Sequence, residues 1–140
     1  MNKTIIWIIL SVAGLITLSV ISVRWLTMRV NTDFATEALL EFHYGDINIS
    51  VTITDEDDIL MLKQILNGRA YYRGSLHCGF IEDISITMTS GRKSIMFCPA
   101  NDGCQLLRVD TSCRYIEISY EANTQLHEIL GKYGMIFPCI

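Results

Sequence analysis

The chain has 140 residues, half of them hydrophobic, and a net charge of −4. This length is enough for one domain with a real core and too short for two once a membrane segment is set aside. From residue 31 onward, eight basic residues stand against fifteen acidic ones, a charge of −7. Because phosphate backbones repel an acidic domain, the composition argues against nucleic-acid binding.

Residues 5–23 form a run of nineteen residues without a charge. As a helix, this run would be about 28 Å long, close to the hydrocarbon thickness of a bilayer. We interpret it as a transmembrane signal-anchor, with a short cytoplasmic N-terminus over residues 1–4 and a juxtamembrane linker over residues 24–36. A cleaved signal peptide is the alternative, although its apolar core is usually shorter and is followed by small residues.

Basic residues flank both ends of this run, so the positive-inside rule does not orient it. All five cysteines come after it. A small cysteine-rich domain behind an export-type segment is typical of an oxidising compartment. We therefore expect a single-pass membrane protein whose C-terminal domain, residues 37–140, lies outside the cytoplasm.

The first half of the domain predicts a hairpin and a helix. Apolar and polar residues alternate from residue 39 to residue 53, and Gly45-Asp46 interrupts them as a two-residue loop. An acidic run follows, in which Thr54 or Asp55 can cap the free amides of a helix that ends at Gly68.

The second half predicts four more strands and another helix. Strand patterns recur between Ile84 and Ile118, and Ser119 then begins a helix whose apolar residues repeat at i, i+3, i+4 and i+7. Strands with one apolar face, together with two one-sided helices, predict a single α+β domain. We expect a two-layer sandwich in which an antiparallel sheet of five to six strands carries both helices on one face.

The predicted loop from residue 69 to residue 80 has the composition of a binding surface. Tyr71 and Tyr72 lie between Arg69 and Arg73, and tyrosine and arginine are enriched at binding hot spots. We expect these four residues to contact a protein partner. The alternative is that one tyrosine packs on the sheet while the arginines are solvated.

The segment from Cys98 to Cys104 contains Pro99 and Asp102-Gly103, which predict a tight reversal of the chain. Such a reversal would bring the two sulfurs within bonding range, and we expect a Cys98–Cys104 disulfide.

Three cysteines remain outside this reversal. A second disulfide between Cys78 and Cys139 would join the C-terminal tail to the sheet, at a gain of about 3–4 kcal/mol in the chain-entropy model. Cys113 is then left without a partner.

A metal site is the alternative use of these cysteines. Zinc sites usually contain cysteines two to four residues apart, whereas the closest pair here has five residues between its members. We therefore expect no metal and no cofactor. A zinc site would have to combine Cys98, Cys104 and Cys78 with His77 or Cys139.

No catalytic motif with a recognisable spacing occurs in the chain. We therefore expect a membrane-anchored, non-enzymatic binding module that is stabilised by disulfides. The alternative is a small metal-dependent or hydrolytic envelope enzyme. It would use the cysteine and histidine residues or the carboxylates of Glu82, Asp83 and Asp102.

Overall fold

The computed structural model describes residues 3–72, 79–80, 84–100 and 102–135. Over these residues the chain forms helices and short strands joined by tight turns. The helices are α1 (Lys3–Thr27), α2 (Glu56–Leu66) and α3 (Tyr120–Lys132). The strands are β1 (Arg29–Val30), β2 (Glu37–Tyr44), β3 (Ile47–Ile53), β4 (Gly68–Arg69), β5 (Tyr71–Tyr72), β6 (Ile84–Ser90), β7 (Lys93–Pro99), β8 (Leu106–Val109) and β9 (Arg114–Glu117).

Seven of these strands form one antiparallel sheet in the order β3-β2-β6-β7-β8-β9-β5, and β1 pairs with β4 in a separate ribbon. The α+β sandwich expected from the sequence is confirmed. The sheet is larger than expected because Tyr71 and Tyr72, which were expected to lie in a loop, pair with β9 as a seventh strand.

The β2–β3 hairpin has the predicted two-residue loop. Gly45 has φ +58 at the first loop position, a conformation that glycine adopts without steric cost. Tyr44 and Ile47 face each other directly across the loop. This register places Leu40, beside Val51, on the buried face of the sheet.

Both helices of the domain begin at predicted capping residues. The Asp55 carboxylate accepts a hydrogen bond from the backbone amide of Asp58 at 3.0 Å. The Ser119 hydroxyl accepts one from the amide of Ala122 at 3.2 Å. Each cap satisfies an amide that has no partner within its helix.

One hydrophobic core lies between the sheet and the two helices. Alternate residues of the central strands contribute one side of it, and the apolar stripes of α2 and α3 contribute the other. The largest fully buried side chains are Phe42, Phe97, Leu40, Ile53, Leu62, Leu66, Ile86, Met88, Leu107, Leu126, Leu130 and Val109.

A charged group also joins the two helices. Lys132 Nζ and Tyr133 Oη each donate a hydrogen bond to Asp58 Oδ2 at 2.6 Å. The hydrogen bond from Lys132, together with that from Tyr133, holds the pKa of Asp58 below its ordinary value. The same contact with Asp58 raises the pKa of Lys132 and the pKa of Tyr133.

The segment predicted as a juxtamembrane linker does not form a separate spacer. Helix α1 continues to Thr27, and only Met28 separates it from β1. The carbonyl of Met28 accepts a hydrogen bond from the amide of Ala70 at 2.7 Å. Val30 and Ala35 are buried in the core of the domain.

A polar contact fixes this segment to the end of α2. Asn67 Oδ1 accepts hydrogen bonds from both the amide and the hydroxyl of buried Thr32. Asn67 Nδ2 donates to Asp33 Oδ1 at 2.7 Å. The chain between α1 and the sheet is therefore part of the folded domain, because its buried polar groups find their partners there.

Candidate functional site

Helix α1 contains a segment, Thr4–Ser22, that is long and apolar enough to cross a membrane. Its described side chains are exposed, so the domain does not bury them. Ser11, Thr17 and Ser19 donate their hydroxyls to carbonyls one turn earlier, which satisfies them within the helix. A signal sequence near an N-terminus has the same length and composition.

The residues expected to bind a partner lie on two short strands. Arg69 is exposed in β4, where it faces Arg29 of β1. Ala70 is fully buried, and Tyr72 in β5 is 59% exposed. Arg69 in the ribbon and Tyr72 in the sheet thus lie on either side of the buried Ala70, and Arg73 lies outside the described residues.

Tyr71 has a different environment from Tyr72. It faces Tyr115 of β9 and is partly buried. Its hydroxyl group is buried and has no hydrogen-bond partner within the described part of the chain. One tyrosine therefore packs on the sheet, as the alternative interpretation expected, while the other is exposed. The contact with a partner stays a prediction.

The outer face of the sheet, opposite the helices, is open at its β3 end. Asn48, Ser50 and Thr52 of β3 are exposed there. Next to them, Ser85 Oγ donates to Glu41 Oε2 at 3.4 Å. This half of the outer face presents the small polar side chains of β3 to solvent, whereas Ser85 in β6 is buried.

The other half of the outer face, over β7, β8 and β9, is covered. Cys98, Arg108 and Tyr115 lie side by side across these strands. The Phe80 ring packs on Tyr115 with 5.2 Å between ring centroids, and the Arg108 guanidinium carbon is 5.9 Å from the Phe80 centroid. Arg108 Nη2 lies 3.7 Å from the buried sulfur of Cys98.

Asp102 holds the covering segment in place. Its carboxylate accepts hydrogen bonds from the amides of Gly79 and Cys104, each at 3.1 Å. Desolvation by burial raises the pKa of Asp102, but hydrogen bonds from Cys104 and from backbone amides outweigh it, and the pKa lies below its ordinary value. The Asp102 carboxylate therefore links the segment that contains Gly79 to the loop that contains Cys104.

The predicted Cys98–Cys104 disulfide is not formed in the structure. Cys98 is inside β7, and its cross-strand partner is Arg108. The pairing continues beyond it, because Pro99 faces Leu107 and the amide of Ala100 donates to the carbonyl of Leu106. The strand pairing thus extends beyond Cys98 as far as Ala100 and Leu106, and the residue opposite Cys98 is Arg108 rather than Cys104.

Other predicted site residues fall outside the described part of the chain. They are His77, Cys78, Glu82, Asp83 and Cys139. The Cys78–Cys139 disulfide and the carboxylate pair therefore remain predictions.

Within residues 3–72, 79–80, 84–100 and 102–135, no three histidine, cysteine or acidic side chains are grouped so that they could hold a metal ion. Asp102 was one of the carboxylates predicted for the alternative enzyme. In the structure, its carboxylate accepts hydrogen bonds from the backbone amides of Gly79 and Cys104. Cys113 is exposed in the turn between β8 and β9.

The sequence pattern did not indicate that β3 lies at an edge of the sheet. Over the described residues, β3 pairs with β2 on one side and with no strand on the other. It has seven residues and carries no charge, no proline and no glycine. Its uncharged sequence points away from an edge position, since natural edge strands usually carry charges or prolines, so only the strand order revealed the edge.

No family model, curated protein or solved structure matches the chain. Function has to be argued from the surfaces described above.

Proposed function

We propose that the protein is a membrane-anchored binding module whose domain lies outside the cytoplasm and contacts a protein partner through Arg69, Tyr71, Tyr72 and Arg73. Anchoring is supported by the length and exposure of the Thr4–Ser22 segment. The compartment is inferred from the position of all five cysteines after that segment.

The exposed ring of Tyr72 is the observation that carries the proposed contact. Tyr72 belongs to a strand paired with β9, so its backbone is held in place while 59% of the residue remains exposed. A tyrosine held in this way provides a large contact area at a low cost in conformational entropy. Arg69, which directly precedes the buried Ala70, adds a cation that can pair with an acidic or aromatic group of the partner.

The direct contact between α1 and the domain supports the same function. Because β1 follows α1 after one residue and pairs with β4, Arg69 is held close to the end of the apolar helix. The proposed surface would then face a partner that is itself in or near the membrane.

Site-specific photocrosslinking in the native membrane tests this proposal. The full chain carries benzoylphenylalanine in place of Tyr72, and a matched control carries it in place of Tyr120, which is 69% exposed on α3. We expect a discrete protein adduct from position 72 and none of the same mass from position 120. No adduct at position 72, or the same adducts at both positions, would reject the surface.

Charge reversal gives a second test of the same adduct. Arg69→Glu should reduce the yield at position 72 at least fivefold, because the partner would lose its cationic contact. Arg92→Glu makes the same charge change in the exposed β6–β7 turn and should leave the yield unchanged. Equal yields in the two variants would show that Arg69 does not contact the partner.

A further inference from the structure

Strand β3 leaves one side of its backbone unpaired within the described residues. Tyr44 and Ile47 close a two-residue hairpin, so they form a hydrogen-bonded pair. Hydrogen-bonded and non-hydrogen-bonded pairs alternate along an antiparallel ladder. The backbone groups of Ile49 and Val51 therefore point to β2, and those of the intervening residues point away from the sheet.

The outward-pointing residues are Asn48, Ser50 and Thr52, each of which is exposed. Each carries one amide donor and one carbonyl acceptor on the free side of the strand. Such a row of groups is a template for another strand.

The sequence of β3 is self-complementary about its centre. Around Ser50, apolar and polar residues are arranged symmetrically: Ile49 mirrors Val51, and Asn48 mirrors Thr52. Two copies in antiparallel register about Ser50 would place apolar side chains beside apolar ones on the helix side. Polar side chains would lie beside polar ones on the outer face.

Electrostatics also favours this strand as the point of contact between copies. The chain beyond residue 31 carries a charge of −7, so two domains repel each other over most orientations. Residues 47–53 contain no charged side chain. Two copies that meet along β3 therefore bring uncharged strands into contact, which adds little to the repulsion between the domains.

We infer that β3 pairs with β3 of a second copy of this chain, in antiparallel register with Ser50 on the two-fold axis. The outward-pointing residues would exchange about six backbone hydrogen bonds across the axis. The two sheets would become one continuous sheet with α2 and α3 of both copies on the same side. This inference concerns the opposite edge of the sheet from Tyr72 and does not depend on the proposed partner surface.

The mass of the full chain in detergent micelles tests the inference. Light scattering should show a dimer that dissociates on dilution. Ser50→Lys places two like charges side by side on the axis and should weaken association at least tenfold. Ser94→Lys is the matched control, because Ser94 is exposed on the same outer face but lies in β7, which has a neighbour on each side. The Ser94→Lys variant should dimerise like the wild type.

Hydrogen exchange at the β3 amides tests the geometry and the fold of the variant together. In the dimer, the amides of Asn48, Ser50 and Thr52 should be protected, and dilution or Ser50→Lys should release them. The amides of Ile49 and Val51 should stay protected in the variant, which shows that β3 still pairs with β2.

Three results would overturn the inference. The wild type could remain monomeric at all concentrations with its outward amides unprotected, which would leave the edge for a different protein. A monomer with these amides protected would mean that another part of the same chain covers the edge. Equal association of Ser50→Lys and the wild type would place the dimer contact elsewhere.

Discussion

The two edges of the sheet differ in length, composition and surroundings. Strand β3 presents seven uncharged residues along one edge, whereas β5 contributes two tyrosines at the other. Next to β5 the outer face is covered by Phe80, and next to β3 it is open. Short strands and covering segments are how proteins protect sheet edges, so the β5 edge is protected and the β3 edge is available for strand pairing.

The two halves of the outer face also show what covering does to polar residues. Under Phe80, Cys98 and Tyr115 are buried, and Arg108 contacts both the sulfur and the ring. On the open half, Ser50 and Thr52 need no protein partner because solvent satisfies them. The covered half of the outer face is therefore part of the packed domain, whereas the β3 end of the same face is exposed to solvent.

The largest expected loss of stability comes from a proline at a residue of β3 whose amide points to β2, compared with one whose amide points away from β2. Val51→Pro removes an amide that bonds to β2 and should destabilise the domain by roughly 3 kcal/mol or more. Ser50→Pro removes an amide that points away from β2 and should cost about 1 kcal/mol or less in the monomer. Denaturant unfolding of both variants at low concentration checks this. Equal losses would mean that the assigned alternation is reversed or absent.

Removing the cover from the other half of the outer face should have a smaller effect. Phe80→Ala should destabilise the domain by about 1–2 kcal/mol, since the ring is only partly buried. It should also increase the rate at which a maleimide modifies Cys98. Tyr44→Ala is the control, because Tyr44 is exposed at the open end of β2, and its effect should stay within about 0.5 kcal/mol.

The helix contact behind β3 provides a pH-dependent test. Asp58→Asn weakens two hydrogen bonds to a charged acceptor and should cost about 1–2 kcal/mol at neutral pH. Asp57→Asn, at the exposed neighbouring position, should cost less. Thermal unfolding of the two variants and the wild type measures this difference.

The stabilisation by Asp58 should disappear at both ends of the pH range. The pKa of Asp58 is lowered from 3.8, so its contribution is present above that value and is lost as the pH falls through the folded pKa. The pKa of Tyr133 is raised from 10.0 and that of Lys132 from 10.5. Their contribution is present below these values and is lost as the pH rises. A difference between Asp58→Asn and wild type that does not change with pH would contradict the assigned contact.

The last and smallest test compares how readily two cysteines on the covered half of the sheet are modified. Cys113 is exposed and Cys98 is buried. A membrane-impermeant maleimide added to intact cells should therefore label Cys113 and leave Cys98 unmodified, as read by peptide mass spectrometry, with Cys113→Ser as the control. Labelling that begins only after the membrane is permeabilised would place the domain in the cytoplasm.

Local sequence patterns predicted most of the elements of this fold. The alternation around Gly45, the caps at Asp55 and Ser119 and the apolar stripes of both helices depend on neighbours within a few residues. A hairpin turn or a helix cap acts over that range, so a sequence pattern is sufficient to recognise it.

The predictions that were wrong or incomplete depended on long-range contacts. The linker became part of the core because Thr32 meets Asn67, thirty-five residues away. The Cys98–Cys104 pair did not meet because the β7–β8 register places Arg108 opposite Cys98. In both cases the partner of a residue is chosen by the packing of the whole sheet, which no spacing rule contains.

By itself, the sequence determined an apolar helix followed by one α+β domain, because hydrophobic periodicity and turn chemistry act locally along the chain. Only the tertiary structure decided which strand lies at each edge, which half of the outer face is covered and which tyrosine is exposed. The reason is that strand order and burial result from contacts between distant segments. These contacts compete for the same core and are settled only when the whole domain has packed.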